Sequence, residues 1–526
     1  MKKGLTLAIG TVTMVTAVIT GIAWYTGTRV EPVLRQALVE ASGQINAAVA
    51  GQPLGATLEL SGFERGLFAS TAYIVATVQA PGTQPLRVEA VADIEHGPFP
   101  WSRVKTFSLM PAMINASLRA ESNAELAQVL NVPEGGVLLS ARGTAAYWGA
   151  GEGQFKVSAL SWKGAEATAG FSGMEGTYSF TQGGKSRVID AWVDNINYTA
   201  GPPGSEAALL VKGVSIHADG TLGASGFYGG KGSVRVEQQL FTSPDPLTFE
   251  LKSHQLAGVL EEGRRGFRGT LDYGFENAVF NEHHLNKASL HLIFNDLDIP
   301  ASRDLLSVYT DVIVPQALAA GQAERLLRPQ LSPQQLAKWQ DSLERLVAGQ
   351  PRFWLKPLSL IIDHGLSELS LMLTLGKPDD PRLAELPAAV QTIHELSAVS
   401  RLSESAIWDF AKLKLKLQGE ASGRMFEHKA FMEKLRLKHY LLNLGLATMD
   451  WNGFLTTLEY QGKDRPVIFN NQPMRDGSLG AVYLALTGQG SSLRILDMAL
   501  GSEAANRSPV VWCSVVSGAM MPACKR

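Results

Sequence analysis

Cysteine is almost absent. Only Cys513 and Cys524 occur in 526 residues, which excludes a fold held by a disulfide framework. In an oxidising compartment the two could pair and close one short loop. Charge is sparse and balanced: 47 Lys and Arg face 49 Asp and Glu, and 18% of residues are charged. A net charge of −2 gives bulk electrostatics no hold on nucleic acid or on an anionic membrane surface, and no nucleic-acid partner is expected.

Catalytic signatures are missing as well. There is no Gly-x-Ser-x-Gly turn, and Gly149, Gly151 and Gly153 lack dinucleotide spacing. Gly183-Gly184-Lys185-Ser186 ends like a phosphate-binding loop, but Ser179 stands where that loop needs its first glycine. It reads as a hairpin turn. Glu282-His283-His284 with His291 is the densest histidine group. Adjacent residues on a strand point to opposite faces, so no metal site is expected there. Asp379-Asp380 sits in a polar, turn-rich loop and reads as solvated. No enzymatic activity and no cofactor are expected.

Long hydrophobic runs are scarce, with one exception. After Met1-Lys2-Lys3, the stretch Gly4 to Tyr25 carries no charge. A helix rising about 1.5 Å per residue needs about 20 residues to cross a ~30 Å hydrocarbon core. Trp24 and Tyr25 suit an aromatic belt, and the lysines place the N-terminus in the cytoplasm. Residues 1–28 are therefore expected to be a single-pass inner-membrane anchor, with the body periplasmic. A cleaved signal peptide, cut near Gly21-Ile22-Ala23, is the alternative. The length of the run and the Trp-Tyr pair favour the anchor. The later apolar run Pro509 to Met521 is too short to span.

Residues 29–475 are expected to form a β-rich body. A helix is expected from Arg29 to Val49, with Val30, Val33, Leu34, Ala37, Leu38 and Ala41 on one face. Strands are expected at Thr57 to Phe68, Thr71 to Val78, Leu86 to Ile94 and Phe107 to Leu118. Between the second pair, His96-Gly97-Pro98-Phe99-Pro100-Trp101 makes a rigid irregular turn. Serial alternating segments come next, Gln154 to Trp162 and Arg187 to Val193 among them, and many of the 52 glycines sit between such segments, which favours a β-rich body with many turns. A loose echo between Val157–Trp162 and Leu355–Leu360 suggests two β halves separated by a helical insertion near 301–349. Ser302 is the expected cap of its first helix, with Leu305, Leu306, Tyr309, Val312 and Ile313 inward. Ser332-Pro333-Gln334-Gln335 is a capping box for the second. A second helical region covers 403–444, with helices at Ser403 to Leu417 and Arg424 to Leu442, before a hairpin at Phe454 to Tyr460 and Val467 to Asn470. Residues 476–526 form a divergent Gly- and Ser-rich tail. The expected class is α+β, mostly β: one N-terminal transmembrane helix, then an elongated, curved antiparallel sheet with covering helices.

Several stretches stand together in order: Ala23-Trp24-Tyr25-Thr26-Gly27, Arg65-Gly66-Leu67-Phe68-Ala69-Ser70, His96-Gly97-Pro98-Phe99-Pro100, Leu160-Ser161-Trp162 and Leu458-Glu459-Tyr460. In them the chain resembles the YdgA/YihF-like family of inner-membrane-anchored proteins of Gram-negative bacteria, a family of unknown function. The resemblance runs from the anchor to about Pro473 and does not reach Cys513 or Cys524. It implies a periplasmic β-rich body on one transmembrane helix and implies no enzyme. More loosely, the architecture is similar to that of AsmA-like proteins.

Three residues are candidate ligand contacts. His96 is either a pH-sensitive or ligand-binding imidazole, or a turn residue whose ring caps backbone groups and could be removed at little cost. Phe99 shares its rigid turn and is expected to be buried. Arg65, between Phe63 and Phe68, could hold a phosphate or carboxylate, or brace a turn through carbonyls. Three functional classes remain: a non-enzymatic envelope protein that binds or scaffolds partners, a lipid or amphiphile carrier with an apolar groove lined by alternate strand residues, and a hydrolase without a recognisable motif.

Overall fold

The computed structural model describes residues 27–474, apart from residues 44, 47–54, 80–84, 165, 182–183, 203, 244–247, 281–282, 315, 317–329, 380–387, 418–422 and 444. The expected anchor up to residue 26 and both cysteines lie outside the described residues. Among the described residues no helix is long and apolar enough to cross a membrane. The chain divides into two compact units, Met1–Leu247 with Arg303–Trp339, and Thr248–Ser302 with Gln340–Arg526.

The first unit is an antiparallel meander. Strands β1 (Gly55–Arg65), β2 (Ala69–Gln79), β3 (Leu86–His96), β4 (Ile114–Glu121), β5 (Val137–Ala145) and β6 (Gly151–Val157) pair in sequence order. The expected single strand through Trp162 is broken at Ser158, whose N–H instead reaches the Leu138 carbonyl at 2.9 Å. Beyond the break, β7 (Leu160–Lys163) and β8 (Ala167–Phe171) form a side hairpin, and β9 (Met174–Thr181) returns to pair with β6. The long β10 (Ser186–Ala200) pairs with β9 over its first half and with β8 over its second. The Gly184-Lys185-Ser186 segment thus lies at the β9–β10 connection, as a hairpin reading requires. β11 (Ala207–Leu222) and β12 (Tyr228–Thr242) complete the unit.

Glycine does more than turn the chain. In the β6–β9 ladder Gly151 opposes Phe180, Gly153 opposes Tyr178, and Phe155 opposes Gly176. A Cβ at Gly153 would lie 2.5 Å from the Tyr178 ring, and one at Gly176 would lie 2.5 Å from the Phe155 ring. Each aromatic lies across a strand glycine and covers backbone that would otherwise be bare. Burial accordingly pushes the Tyr178 phenol up. This second use of glycine, beside its place in turns, was not legible in the sequence, because cross-strand partners cannot be read from neighbours in the chain.

The helix α1 (residues 27–43) lies on one face of β1 to β4. Its buried stripe is Val30, Leu34 and Leu38, four residues apart, and it is narrower than expected: Val33 is 64% exposed. The sheet beneath is paved with Ala72, Ala92, Ala90 and Ala116 among Ile74, Ile94 and Leu118. Small side chains let the helix approach closely while the larger ones fill its flanks. Past His96 a second expectation fails. The chain forms a short helix α2 (Trp101–Lys105), and strand pairing resumes only at Ile114.

The second unit is also antiparallel. β13 (Thr248–Glu262) pairs with β14 (Phe267–Phe275) and β15 (Asn277–Phe280), and both pair with β16 (His283–Leu297). β16 then pairs with β17 (Arg352–Ile362), followed by β18 (Gly365–Leu375) and β19 (Ile393–Leu402); the short β20 (Thr448–Asp450) and β19 both pair with β21 (Gly453–Tyr460). The expected closing hairpin is present as β21 with β22 (Ile468–Phe469). Because β16 and β17 pair directly, the helical insertion connects neighbouring strands of one ladder rather than separating two halves, and its residues Arg303–Trp339 group with the first unit. Its first helix, Ile299–Val308, is capped by Asp298, whose carboxylate accepts the Ala301 N–H at 2.8 Å. Ser302, the expected cap, lies one turn inside. A π-turn at Tyr309–Ile313 then shifts the helical phase, so Val308 and Ile313 are buried while Leu306 and Tyr309 are exposed. The capping box at Ser332 forms as expected: its hydroxyl accepts the Gln335 N–H at 3.3 Å, and Gln335 reaches back to the Ser332 N–H at 2.9 Å.

The helices Glu404–Leu417 and Arg424–Asn443 are present where the sequence places them. Alternation of Lys and Leu in the first could have suited a strand. Ala411 and Leu415, four apart, are both buried, and Lys412 and Lys414 pair with Glu427 and Glu433 of the second helix.

Candidate functional site

On β2 and β3 the residues facing α1 alternate: Ser70, Ala72 and Ile74, then Ala92, Ile94 and His96. Ser70 and His96 are the two polar members of this face, and both are buried. The ladder sets Ser70 beside Ile94 and Ala69 beside Glu95, which brings the imidazole onto the Ser70 hydroxyl. His96 Nε2 lies 3.0 Å from Ser70 Oγ, and the His96 N–H donates to the Phe68 carbonyl at 2.9 Å. His96 is 2% exposed. It therefore sits in the core and meets a side-chain hydroxyl, and so deep a residue is expected to cost more on removal than the turn reading implies.

Gly27 closes the lid on this ring. A Cβ there would stand 2.6 Å from His96 Cε1 and 3.0 Å from Nε2, closer than packed carbon atoms approach. One helical turn on, Glu31 accepts from Arg35 at 3.0 Å and from Arg65 at 3.4 Å. Arg65 is half-exposed and braces α1 through a carboxylate, where the sequence suggested carbonyls. Such an exposed pair adds little stability, but it fixes the end of β1 to the first turns of α1. Three stretches far apart in sequence thus meet at one end of the first sheet: Gly27 and Glu31, Arg65 to Ser70, and His96. Sequence reading singled out His96 and Arg65. It missed Ser70 and Glu31, whose only signal was their nearness to those motifs.

Phe99 does not join them. Pro98 and Pro100 turn inward and are buried, and Phe99 between them points out at 45% exposure, which corrects its expected burial. Beyond it the connection from His96 to Ile114 is braced throughout. Glu95 accepts the Ser102 N–H at 3.0 Å and also its hydroxyl. Asn115 donates to Ser102 Oγ at 2.8 Å and accepts from Thr144 at 2.8 Å. Arg103 ties Thr144 at 3.2 Å to Ser108 at 2.8 Å.

Elsewhere, His291 pairs with Asp272, and Asp379 lies 3.6 Å from Lys463 and 3.9 Å from His394. Among the described residues no group of three His, Cys, Asp or Glu converges for a metal. A concavity of about 800 Å³ opens along helix Arg424–Asn443 in the second unit. Leu415, Met432, Leu435 and Leu442 line it, with Lys429, Arg436 and Lys438 among its polar residues.

Comparison with known proteins adds a family. Its members are described as bacterial proteins of unknown function (DUF945), and the match covers residues 1–475. The chain belongs to this family. The DUF945 match ends where the Gly- and Ser-rich tail begins. The chain is similar to Protein YdgA of Escherichia coli (strain K12), at 21% identity over 432 residues, 80% of this chain and 85% of the relative. No solved structure matches. The DUF945 region contains the whole Gly27–Ser70–His96 junction, while Cys513 and Cys524 lie beyond it.

Proposed function

We propose that this chain is a non-enzymatic, inner-membrane-anchored periplasmic protein that binds or scaffolds partners in the cell envelope. The observation that carries the reading is the junction at Gly27. The charge-free stretch ends at Tyr25, and two residues later Gly27 is already packed on the buried His96 ring. No linker separates the two. Anchor and first unit would then be coupled stiffly, as suits a protein that presents a surface at a set height above a membrane. The lysine bias supports the orientation with the body outside the cytoplasm.

The test is a fusion of alkaline phosphatase after Gln350, an exposed position between a helix and β17. Full-length fusion protein should be active and remain with the membrane fraction. An inactive fusion of intact length would reject the orientation. Release into the periplasm at a size shortened by the leading stretch would reject the anchor.

A second reading, an amphiphile carrier, is favoured by the concavity on helix Arg424–Asn443, which sets apolar side chains beside basic ones. Its walls come from helices, where sequence reading expected strands. Organic extraction of the purified full chain should then release stoichiometric lipid, and a clean extract would remove this reading.

A further inference from the structure

Three connections lie side by side at the end of the first sheet where Gly27 meets His96: the β1–β2 turn, the β3–β4 loop and the β5–β6 turn. Together they hold Phe68, Trp101, Phe107, Leu109, Met110 and Trp148 out to solvent. Trp101 is 63% exposed and Phe107 89%. These are not loose side chains on an unstructured loop. The Glu95, Arg103 and Asn115 network fixes the β3–β4 loop from below. Phe107 itself is held at φ 57, a left-handed conformation costly for a bulky residue, by its N–H to the Val104 carbonyl at 3.0 Å. The phenyl ring thus stands exposed on a backbone conformation that bulky residues rarely adopt.

Across the same strands the opposite end differs. The β4–β5 connection, residues 122–136, contains no aromatic residue, and its most exposed large apolar side chain is Val129 at 38%. Among the described residues of these connections the exposed aromatic rings lie at the end where Gly27 meets His96, although single apolar side chains such as Val39 on α1 are exposed elsewhere.

We propose that this end of the first unit rests on the lipid surface, with the β1–β2, β3–β4 and β5–β6 connections inserted among the headgroups. The inference rests on the anchor reading. The occupant is argued from where the chain enters: the uncharged stretch Gly4–Tyr25, with Trp24 and Tyr25 at its end, joins this unit at Gly27, beside these same turns. A bilayer reached by that stretch lies against these loops before any other part of the first unit. The composition fits an interface. Tryptophan and phenylalanine are joined by the exposed Lys105, whose Nζ lies 5.8 Å from the Trp101 ring. Aromatic rings with neighbouring basic groups favour the boundary between headgroups and acyl chains, where apolar faces sink about 5–10 Å.

The experiment uses the full chain with Cys513→Ser and Cys524→Ser, carrying Phe107→Cys, Met110→Cys or Glu134→Cys one at a time. Each is coupled to an environment-sensitive fluorophore. The protein is reconstituted into vesicles of phosphatidylethanolamine and phosphatidylglycerol containing a lipid-borne spin-label quencher. Labels at 107 and 110 should be blue-shifted and quenched several-fold more than the label at 134, on the opposite end. Equal quenching at all three, in protein that stays with the vesicles through an alkaline carbonate wash, overturns the inference and leaves the anchor standing. A protein partner on these loops would give that same result in vesicles of lipid alone. Protein that washes off the vesicles defeats the anchor reading and this inference with it. Positions 107, 110 and 134 are exposed, so the substitutions leave the core intact.

Discussion

Gly27 and His96 compete for one volume, and only the ring occupies it. Gly27→Ala should therefore destabilise the purified full chain by about 1–3 kcal/mol through overpacking. His96→Ala removes the partner of the buried Ser70 hydroxyl and should cost about 1–3 kcal/mol. In the His96→Ala background the added methyl meets no imidazole, so Gly27→Ala should become nearly neutral. A double-mutant cycle read by thermal or denaturant unfolding checks this, and strictly additive losses would show that the contact is not as described. His96 was legible as an unusual residue because two prolines follow it. Its burial was not, since the covering atoms belong to residues 27 and 70 and proximity in sequence does not report them.

Helix Glu404–Leu417 is held to the β17–β18 turn through Asp409. Its carboxylate accepts the Gly365 N–H at 2.7 Å and the His364 N–H at 3.2 Å. Asp409→Ala should leave these amides without that acceptor, at about 1–3 kcal/mol. Burial raises the Asp409 carboxyl above its ordinary value; the two backbone N–H groups oppose the shift and Asp363 adds to it. The unfolded chain therefore ionises first. This contribution to stability is full below the ordinary carboxylate range and declines as pH rises through the raised folded value. Asp409→Asn cannot ionise, so its unfolding free energy should lose that decline when compared with the parent between acid and neutral pH. A second test at this scale is the capping box. Ser332→Ala should cost about 1 kcal/mol, measured by urea unfolding, because the helix start loses its hydroxyl acceptor. The capping box was read from four adjacent residues, as local chemistry allows. The Ile299–Val308 cap was misplaced because Asp298 and Ser302 are both competent, and the π-turn that sets the phase has no local signal.

For the whole molecule, the reading of an exported body makes a prediction about the tail. If the periplasm receives it, Cys513 and Cys524 should be oxidised to one another and resist a maleimide until reductant is added. Closing so short a loop would stabilise by about 2–4 kcal/mol, on a model-dependent entropic account. Labelling of both thiols without reductant in intact protein would reject the pairing. The family match, which stops at residue 475, carries no information about these two residues.

The sequence by itself determined the class of the fold, most of the strands, the two helices after Ser403 and the membership of a family. Each depends on period, local capping or ordered motifs, which are properties of neighbouring residues. Only the tertiary structure decided which glycines make room for Tyr178, Phe155 and His96, and that Phe99 points outward. It alone decided that the insertion interrupts a single ladder and that Gly27, Ser70 and His96 share one buried site. Those outcomes depend on cross-strand register and on a helix laid over a sheet, and both join residues that the chain keeps tens of positions apart.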